Sequence, residues 1–308
     1  MRNIIKDNRG DPLDAFMKLP RPSPRASSPE PEAPTLFDAY APAQIAMRVR
    51  EVGVTKAAMP VLTMFALAVL AGAFIALGAL FYTVTMTTGK GDAVPFGHHR
   101  LAGGVAFSLG LILVVVGGAE LFTGNNLIAM AWASGRVTTQ QIMRNWGWVY
   151  LGNLAGAVGT AALVWLAGIQ NMGDGSVGET MVQIARSKIS LDPVSTIARG
   201  VLCNVLVCLA VWLCMGARSV TDKVLAILFP ITGFVACGFE HSVANMYFLP
   251  IGVALAAGTS APLSAVDAIS NLALVTIGNI FGGTVLVALV YWTVYLRHSN
   301  ESKGTIAS

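Results

Sequence analysis

The stretch GGAELFTGNN at residues 117–126 places a glutamate in the middle of an apolar run. A second stretch, CGFEHSVANM at residues 237–246, repeats the pattern. In each, a glutamate follows a glycine by two positions, and an asparagine follows that glutamate by five. Ionisable side chains at membrane depth are rare and usually functional. The meaning of the two glutamates therefore depends on whether these runs lie in a membrane.

The composition indicates an integral membrane protein. The 308 residues are 55% hydrophobic and 12% charged, with a mean hydropathy of +0.65, whereas an average soluble domain carries about 25% charged residues. We therefore expect the protein to lie in a lipid bilayer and to bind no nucleic acid. The four cysteines lie in apolar runs at spacings that match no zinc or redox motif, so we expect no metal and no cofactor.

Two of the apolar runs are too long for one continuous membrane-spanning helix. Residues 101–135 carry Glu120 as their only charge. A continuous helix of that length would measure about 52 Å at 1.5 Å per residue, whereas a bilayer core is about 30 Å thick. The run therefore predicts one helix that is broken near Gly117, Gly118 and Gly124. The run at 224–266 predicts a second broken helix, interrupted around 238–245.

These breaks belong to an internal repeat. Charge-free runs at 57–89, 145–173, 200–217 and 268–296 complete a set of six predicted spans, of which the second and fifth are broken. The span after each break begins with Gly-Asn-x-x-Gly, at 152–156 and again at 278–282. Three spans per half is an odd number, so the halves must be inverted relative to each other. Inverted repeats with matching broken helices are typical of transporters and channels.

A broken helix leaves backbone N–H groups that lipid cannot satisfy. We expect the carboxylates of Glu120 and Glu240 to accept these groups and so to cap the breaks. The alternative is that they contact a cationic substrate directly.

The rest of the chain predicts a simple domain order. Residues 1–34 are rich in proline and charge and are expected to be disordered, and residues 35–56 predict an amphipathic helix on the cytoplasmic surface. Residues 57–298 form the transmembrane pore domain, and residues 299–308 a cytoplasmic tail. Of the 20 lysines and arginines, 15 fall on the side that holds both termini, which predicts that both termini are cytoplasmic.

Two polar side chains in these runs are candidate functional residues. His241 is the one histidine inside an apolar run, at the second break, and the alternative is a neutral histidine that only binds a loop carbonyl. Asn204 lies in the fourth predicted span, where it either faces the pore or makes an ordinary helix–helix hydrogen bond.

Three motifs give the chain a family resemblance. GGAELFTGN at 117–125, GVLCNVLVCLA at 200–210 and GFEHSVANM at 238–246 resemble the two signature motifs and the histidine loop of the formate/nitrite transporter family. The resemblance covers roughly residues 36–298. LFDAYAP at 36–42 and YFLPIG at 247–252 are most similar to the formate channel branch. Glu120 and the pair Gly124–Asn125 are closer to the nitrite and hydrosulfide branches, so those anions stay alternatives to formate.

The resemblance implies an aquaporin-like all-α protomer in a bacterial-type inner membrane, assembled as a homopentamer with one pore each. It implies pH-dependent conduction of formate or a similar weak-acid anion, with proton-linked transport left open. The pore histidine falls on His241, the loop threonine on Thr123 and a pore asparagine on Asn204. The apolar constrictions fall on Leu111 and Phe234, with Phe107, Leu121 and Phe122 nearby, and two anion-gathering lysines on Lys56 and Lys188.

Two other classes fit the sequence less well. An aquaporin-type channel for neutral solutes needs two Asn-Pro-Ala-like half-helix caps, and the breaks carry other residues. A membrane enzyme needs paired carboxylates or a nucleophile with its base. Glu240, His241 and Ser242 are consecutive, so on a helix they point in different directions and cannot form a triad among themselves. We therefore expect a transport protein and not an enzyme.

Overall fold

The computed structural model describes residues 38–88 and 94–297. From Ala39 onward the described residues pack as one compact unit. The predicted disordered tail at 1–34 and the cytoplasmic tail at 299–308 lie outside the described residues.

The described chain is helical and falls into two series with the same order. The first series is α1 (Pro42–Ala58), α2 (Val61–Met86), α3 (Phe96–Gly117), a 3-10 turn (Gly124–Ile128) that leads into α4 (Ala129–Ala133), and α5 (Thr139–Leu166). The second is α6 (Ser176–Ile189), α7 (Pro193–Gly216), α8 (Val220–Ala236), α9 (Ser242–Ala256) and α10 (Ala265–Ile280), which continues through a π-helical segment (Phe281–Leu289) into α11 (Val290–Tyr295). Each series contains one helix that stops abruptly, α3 and α8, and resumes after a short break.

The predicted all-α membrane architecture is confirmed. Five helices are long and apolar enough to cross a bilayer: α2, α3, α5, α7 and the composite helix Ala265–Tyr295. On either side of the second break, α8 has 17 residues and α9 has 15, so neither matches the about 20 residues that a bilayer requires. Six spans and the inverted orientation of the two halves stay predictions.

Both breaks begin at a left-handed glycine, within the segments where the sequence predicted them. Gly118 follows α3 with φ +76°, and Gly238 follows α8 with φ +73°, a conformation that glycine adopts without steric strain. The first break does not divide its helix in the middle, however. With 22 residues α3 is already long enough to cross the membrane, and the segment after the break is short.

Other boundaries also differ from the prediction. The amphipathic helix expected at 35–56 is α1, which begins at Pro42. The fourth span was predicted as the apolar run 200–217 with a polar lead-in from Asp192, and α7 includes that lead-in. It begins at Pro193, where the Asp192 side chain caps it by accepting a hydrogen bond from the Ser195 N–H at 3.0 Å. Helix α6 was not predicted, because its polar and charged residues are also typical of a loop between two membrane spans.

Glycines allow equivalent helix pairs to touch in the two series. A β-carbon on Gly156 of α5 would collide with the carbonyl oxygen of Val69 in α2. A β-carbon on Gly282, in the π-helical segment that continues α10, would collide with the carbonyl oxygen of Val201 in α7. Small residues at helix contacts are how membrane helices pack closely.

Substituting Gly156 with alanine is expected to lower the melting temperature in detergent, because overpacking a close contact costs about 1–3 kcal/mol. Gly159→Ala is the matched control on the same helix, since a β-carbon there meets nothing within 4 Å. Thermal unfolding of both variants measures the difference. Equal melting temperatures for the two variants would contradict the close contact between α2 and α5.

Candidate functional site

The first break is held by an asparagine on the following helix. The side-chain oxygen of Asn153 in α5 accepts the Phe122 backbone N–H at 2.9 Å. Its amide nitrogen donates to the carbonyl oxygens of Ala68 at 2.8 Å and Glu120 at 2.9 Å. One buried side chain thus satisfies the N–H of Phe122 and the carbonyl oxygen of Glu120 in the break. Its hydrogen bond to Ala68 links the break to α2.

The second break is held in the same way by Asn279 in α10. Its oxygen accepts the Ser242 N–H at 2.9 Å, and its nitrogen donates to the carbonyl oxygens of Gly200 at 2.8 Å and Glu240 at 2.9 Å. Both asparagines are fully buried. The asparagine of each Gly-Asn-x-x-Gly segment is therefore the residue that caps the break before it.

The Glu120 carboxylate binds side chains and not the broken backbone. One oxygen accepts from the Lys56 ammonium at 2.7 Å, and the other accepts from the Asn125 amide at 2.7 Å. The Asn125 amide also donates to the Asn145 side-chain oxygen at 3.0 Å. The Lys56 side chain is 25% exposed and that of Glu120 is 5% exposed.

The Glu240 carboxylate repeats this arrangement at the second break. Its two oxygens lie 2.9 and 3.1 Å from the Lys188 ammonium. The Asn245 amide donates to Glu240 at 2.8 Å and to the Asn271 side-chain oxygen at 2.9 Å. The Lys188 side chain is 13% exposed, so this ion pair is the more deeply buried of the two.

One expectation is therefore wrong in its physical detail. Glu120 and Glu240 do not cap backbone N–H groups, because lysine and asparagine side chains occupy their oxygens and Asn153 and Asn279 do the capping. The repeated asparagine five residues after each glutamate was visible in the sequence, and it is a direct ligand of that glutamate. Lys56 and Lys188, the two lysines to which the resemblance assigned anion gathering, are each paired with a buried carboxylate.

A single hydrogen bond joins the two breaks. His241 Nε2 lies 3.0 Å from Thr123 Oγ1, and both side chains are buried. His241 Nδ1 accepts the Ala244 N–H at 3.0 Å and so caps α9. Since an accepting nitrogen carries no hydrogen, the neutral ring has its hydrogen on Nε2 and donates it to Thr123. The structure thus brings together two predicted residues that lie 118 positions apart in sequence.

Two cavities approach this region. The first, of about 260 Å³, is lined by Lys56, Glu120, Leu111 and Leu121 among others. The second, of about 150 Å³, is lined by Phe107, Phe234, Glu240 and His241 among others.

Aromatic and aliphatic side chains make this region dry. The rings of Phe107 and Phe234 meet edge to face at 5.6 Å between centroids, and Phe234 stacks beside the His241 ring at 5.9 Å. Leu111 is 2% exposed. Phe122, predicted near the constriction, lines neither cavity and packs on Trp146 and Tyr150 instead.

Asn204 lies in the middle of α7, behind the first break. Its amide nitrogen donates to Asn126 Oδ1 at 2.8 Å and to the Asn279 carbonyl oxygen at 2.7 Å, and lies 3.3 Å from the Thr123 carbonyl oxygen. Asn204 lines neither cavity. These contacts support the helix–helix interpretation, with Asn204 positioning the loop that carries Thr123.

The arrangement combines two cavities, apolar side chains beside the His241–Thr123 hydrogen bond and a few oriented donors. Small anions lose hydration in an apolar passage, and hydrogen-bond donors reduce that penalty. Within residues 38–88 and 94–297, no group of three or more His, Cys, Asp or Glu side chains is placed to hold a metal ion.

Known proteins share this architecture. Residues 43–293 match the family model described as formate/nitrite transporter. The chain is 44% identical over 280 residues to the formate channel FocA of Escherichia coli (strain K12), covering 86% of this chain and 98% of that protein. It is 41% identical over 234 residues to FocA of Haemophilus influenzae, covering 71% and 82%.

Solved structures agree with these sequence matches. A pentameric formate channel with formate bound has a TM-score of 0.70 and 42% identity, covering 77% of this chain and 98% of that one. An FNT family ion channel has a TM-score of 0.73 and 28% identity, covering 82% and 98%. The family model spans nearly all of the described residues, including both breaks and the helices that hold them. The chain therefore belongs to the formate/nitrite transporter family.

Proposed function

We propose that the protein is a pH-responsive transmembrane channel for formate, with nitrite and hydrosulfide as the alternative anions of the same site. The observation that carries the proposal is the His241–Thr123 hydrogen bond, which joins the two breaks between two cavities. Relatives named formate channels, at up to 44% identity among those reported above, support formate as the anion.

Thr123 is the residue that would meet the anion. Its oxygen accepts the His241 hydrogen, which leaves its own hydroxyl hydrogen free to be donated. A carboxylate oxygen that enters the dry passage accepts that hydrogen and so recovers part of its lost hydration. A hydrogen bond to a charged group is worth about 1.5–3 kcal/mol.

His241 supplies the pH response in this proposal. A ring that holds a proton can pass it to a weak-acid anion, so that the neutral acid crosses between Leu111 and Phe234. A proton that arrives at Nδ1 displaces the Ala244 N–H from its acceptor, which couples protonation to the start of α9. Transport as an anion and transport with a proton are both compatible with this geometry.

The surroundings proposed for this channel follow from the sequence and the relatives. We place it in a bacterial-type inner membrane with both termini cytoplasmic, because lysine and arginine are concentrated on that side. The solved formate channel is described as pentameric, which supports a homopentamer here. We assign transport and no enzymatic reaction.

Uptake by purified protein in proteoliposomes tests the function. Formate, nitrite and hydrosulfide are compared at pH 5 and pH 7, with and without a proton uncoupler. We expect formate uptake to be fastest and to increase at the lower pH. Faster uptake of nitrite or hydrosulfide would change the assigned anion, and uptake no faster than in empty liposomes would overturn the proposed function.

A further inference from the structure

The two cavities differ in charge. Among the described lining residues, the first cavity has one cation, Lys56, and one anion, Glu120. The second cavity has three cations, Arg100, Lys188 and Arg199, and one anion, Glu240. The repeated lysine–glutamate pair therefore leaves the first cavity neutral and the second with two additional positive charges, both from arginine.

These arginines have hydrogen-bond donors to spare. Arg100 donates to the carbonyl oxygens of Val235 at 2.6 Å and Ala236 at 3.0 Å, and to the Tyr82 hydroxyl at 3.1 Å. Arg199 donates to the carbonyl oxygen of Gly238 at 3.2 Å. A guanidinium has five N–H groups, so both side chains keep unused donors. Within the described chain neither makes an ion pair with a carboxylate.

The two guanidinium groups converge on the second break. A β-carbon built on Gly238 would lie 3.2 Å from Arg100 Nη2 and 3.6 Å from Arg199 Nη1. Both groups therefore reach the same point of the cavity wall, where Gly238 leaves the space open. Two like charges held this close favour an anion between them, and arginine suits a carboxylate because its planar fork matches the two oxygens.

The backbone hydrogen bond that position 199 makes to the break does not depend on a guanidinium. The backbone oxygen of Arg199 accepts the Glu240 N–H at 3.2 Å, and in the first half the backbone oxygen of Leu67 accepts the Glu120 N–H at the same distance. The two positions are therefore equivalent, and a leucine suffices in the first. The positive side chain is an addition that is specific to the second cavity.

We propose that Arg100 and Arg199 form a carboxylate-binding site at the mouth of the second cavity, on the predicted outer side. A small carboxylate binds there, ahead of the passage between Phe107 and Phe234, and exchanges part of its water for guanidinium donors. The inference rests on the proposed function and extends it, because it makes the two sides of the channel unequal: formate is collected from the second-cavity side at lower concentration.

Removing one of these charges has a calculable effect. One unit charge about 6 Å from an anion in bulk water changes the local anion concentration about threefold. Arg199→Gln should therefore raise the half-saturating formate concentration about threefold on the second-cavity side. It should leave the half-saturating formate concentration on the first-cavity side unchanged. Arg199→Lys keeps the charge, so its half-saturating formate concentration on the second-cavity side should stay close to the wild-type value.

Formate uptake into sealed membrane vesicles of the two opposite orientations measures these values. Arg186→Gln is the matched control, because Arg186 is on the predicted same side, binds the Ala261 carbonyl oxygen and lines neither cavity. We expect Arg186→Gln to leave both orientations unchanged. Raising the ionic strength to 1 M should shrink the wild-type difference, since charges are then screened within about 3 Å.

Two results overturn the site. One is an equal shift for Arg199→Gln in both orientations, and the other is no greater shift than with Arg186→Gln. Formate uptake by wild-type vesicles is scored separately, because its absence overturns the proposed function, whereas normal wild-type uptake without a side-specific shift overturns the arginine site alone. A melting temperature in detergent equal to that of the wild type shows that Arg199→Gln is folded.

Discussion

Substituting His241 with phenylalanine is expected to abolish pH-dependent formate flux in proteoliposomes. The substitution removes the donor to Thr123, the acceptor for Ala244 and the proton-carrying group together. Phenylalanine keeps an aromatic ring beside Phe234, so the apolar passage stays filled and dry. His241→Asn keeps a polar side chain without a proton carrier, and it should conduct weakly with no response to pH.

His99→Asn is the control for these variants. His99 lies at the start of α3, and its ring contacts the carbonyl oxygen of Thr85 at the end of α2. It lines neither the first nor the second cavity. Initial rates of formate uptake at pH 5 and pH 7 compare all three proteins with wild type. Flux and pH response at wild-type level in His241→Phe would rule out the role assigned to this histidine.

Substituting Lys188 with methionine is expected to destabilise the protein by about 3–5 kcal/mol, because it leaves the Glu240 carboxylate buried without its cation. Glu240 is 5% exposed, and in this variant its carboxylate keeps one side-chain hydrogen-bond donor, the Asn245 amide. The expected signs are a lower melting temperature in detergent and poor recovery of folded protein. Lys56→Met should have a smaller effect, since Lys56 is more exposed.

The double variant Lys188→Met, Glu240→Gln separates charge from shape. It removes both charges, keeps the length of the side chain at position 240, shortens the one at position 188 by one atom, and lets the glutamine oxygen accept from Asn245. Most of the lost stability should return, because replacing a buried ion pair by neutral groups of similar volume is often close to neutral. A double variant no more stable than Lys188→Met would show that the pair acts through something other than its buried charge.

The breaks were predictable from sequence because the apolar runs that contain them are longer than one membrane-spanning helix. Residues 101–135 are too long for one span and too short for two, and glycines mark where the chain turns. The repeated Gly-Asn-x-x-Gly segments were also visible. Their asparagines cap the breaks. This role was expected of the glutamates, because a carboxylate beside a break is a strong hydrogen-bond acceptor.

The contacts that complete the site were beyond the reach of sequence patterns. Asn145 and Asn271 support the glutamate networks, yet a lone asparagine in an apolar helix gives no sign of its partner. Lys188 reaches Glu240 across 52 positions and Lys56 reaches Glu120 across 64. Such pairings depend on how helices pack. The same reason hid the convergence of Arg100 and Arg199 on Gly238.

The equivalence of the two halves also shows where they differ. Counted from the glutamates, Thr123 corresponds to Val243, and His241 corresponds to Leu121. The capping asparagines and ion pairs are shared, so they serve the fold of both breaks. The threonine and the histidine are not shared, and the hydrogen bond between them is the asymmetric element at the centre of the pathway.

The initial rate of formate uptake by Thr123→Val beside Thr123→Ser tests the central claim most directly. Valine matches threonine in shape and removes only the hydroxyl, whereas serine keeps it. The account predicts that Thr123→Ser retains most of the wild-type rate and that Thr123→Val loses about tenfold or more, the equivalent of one hydrogen bond to a charged group. A folded Thr123→Val protein that takes up formate at the wild-type rate would contradict it.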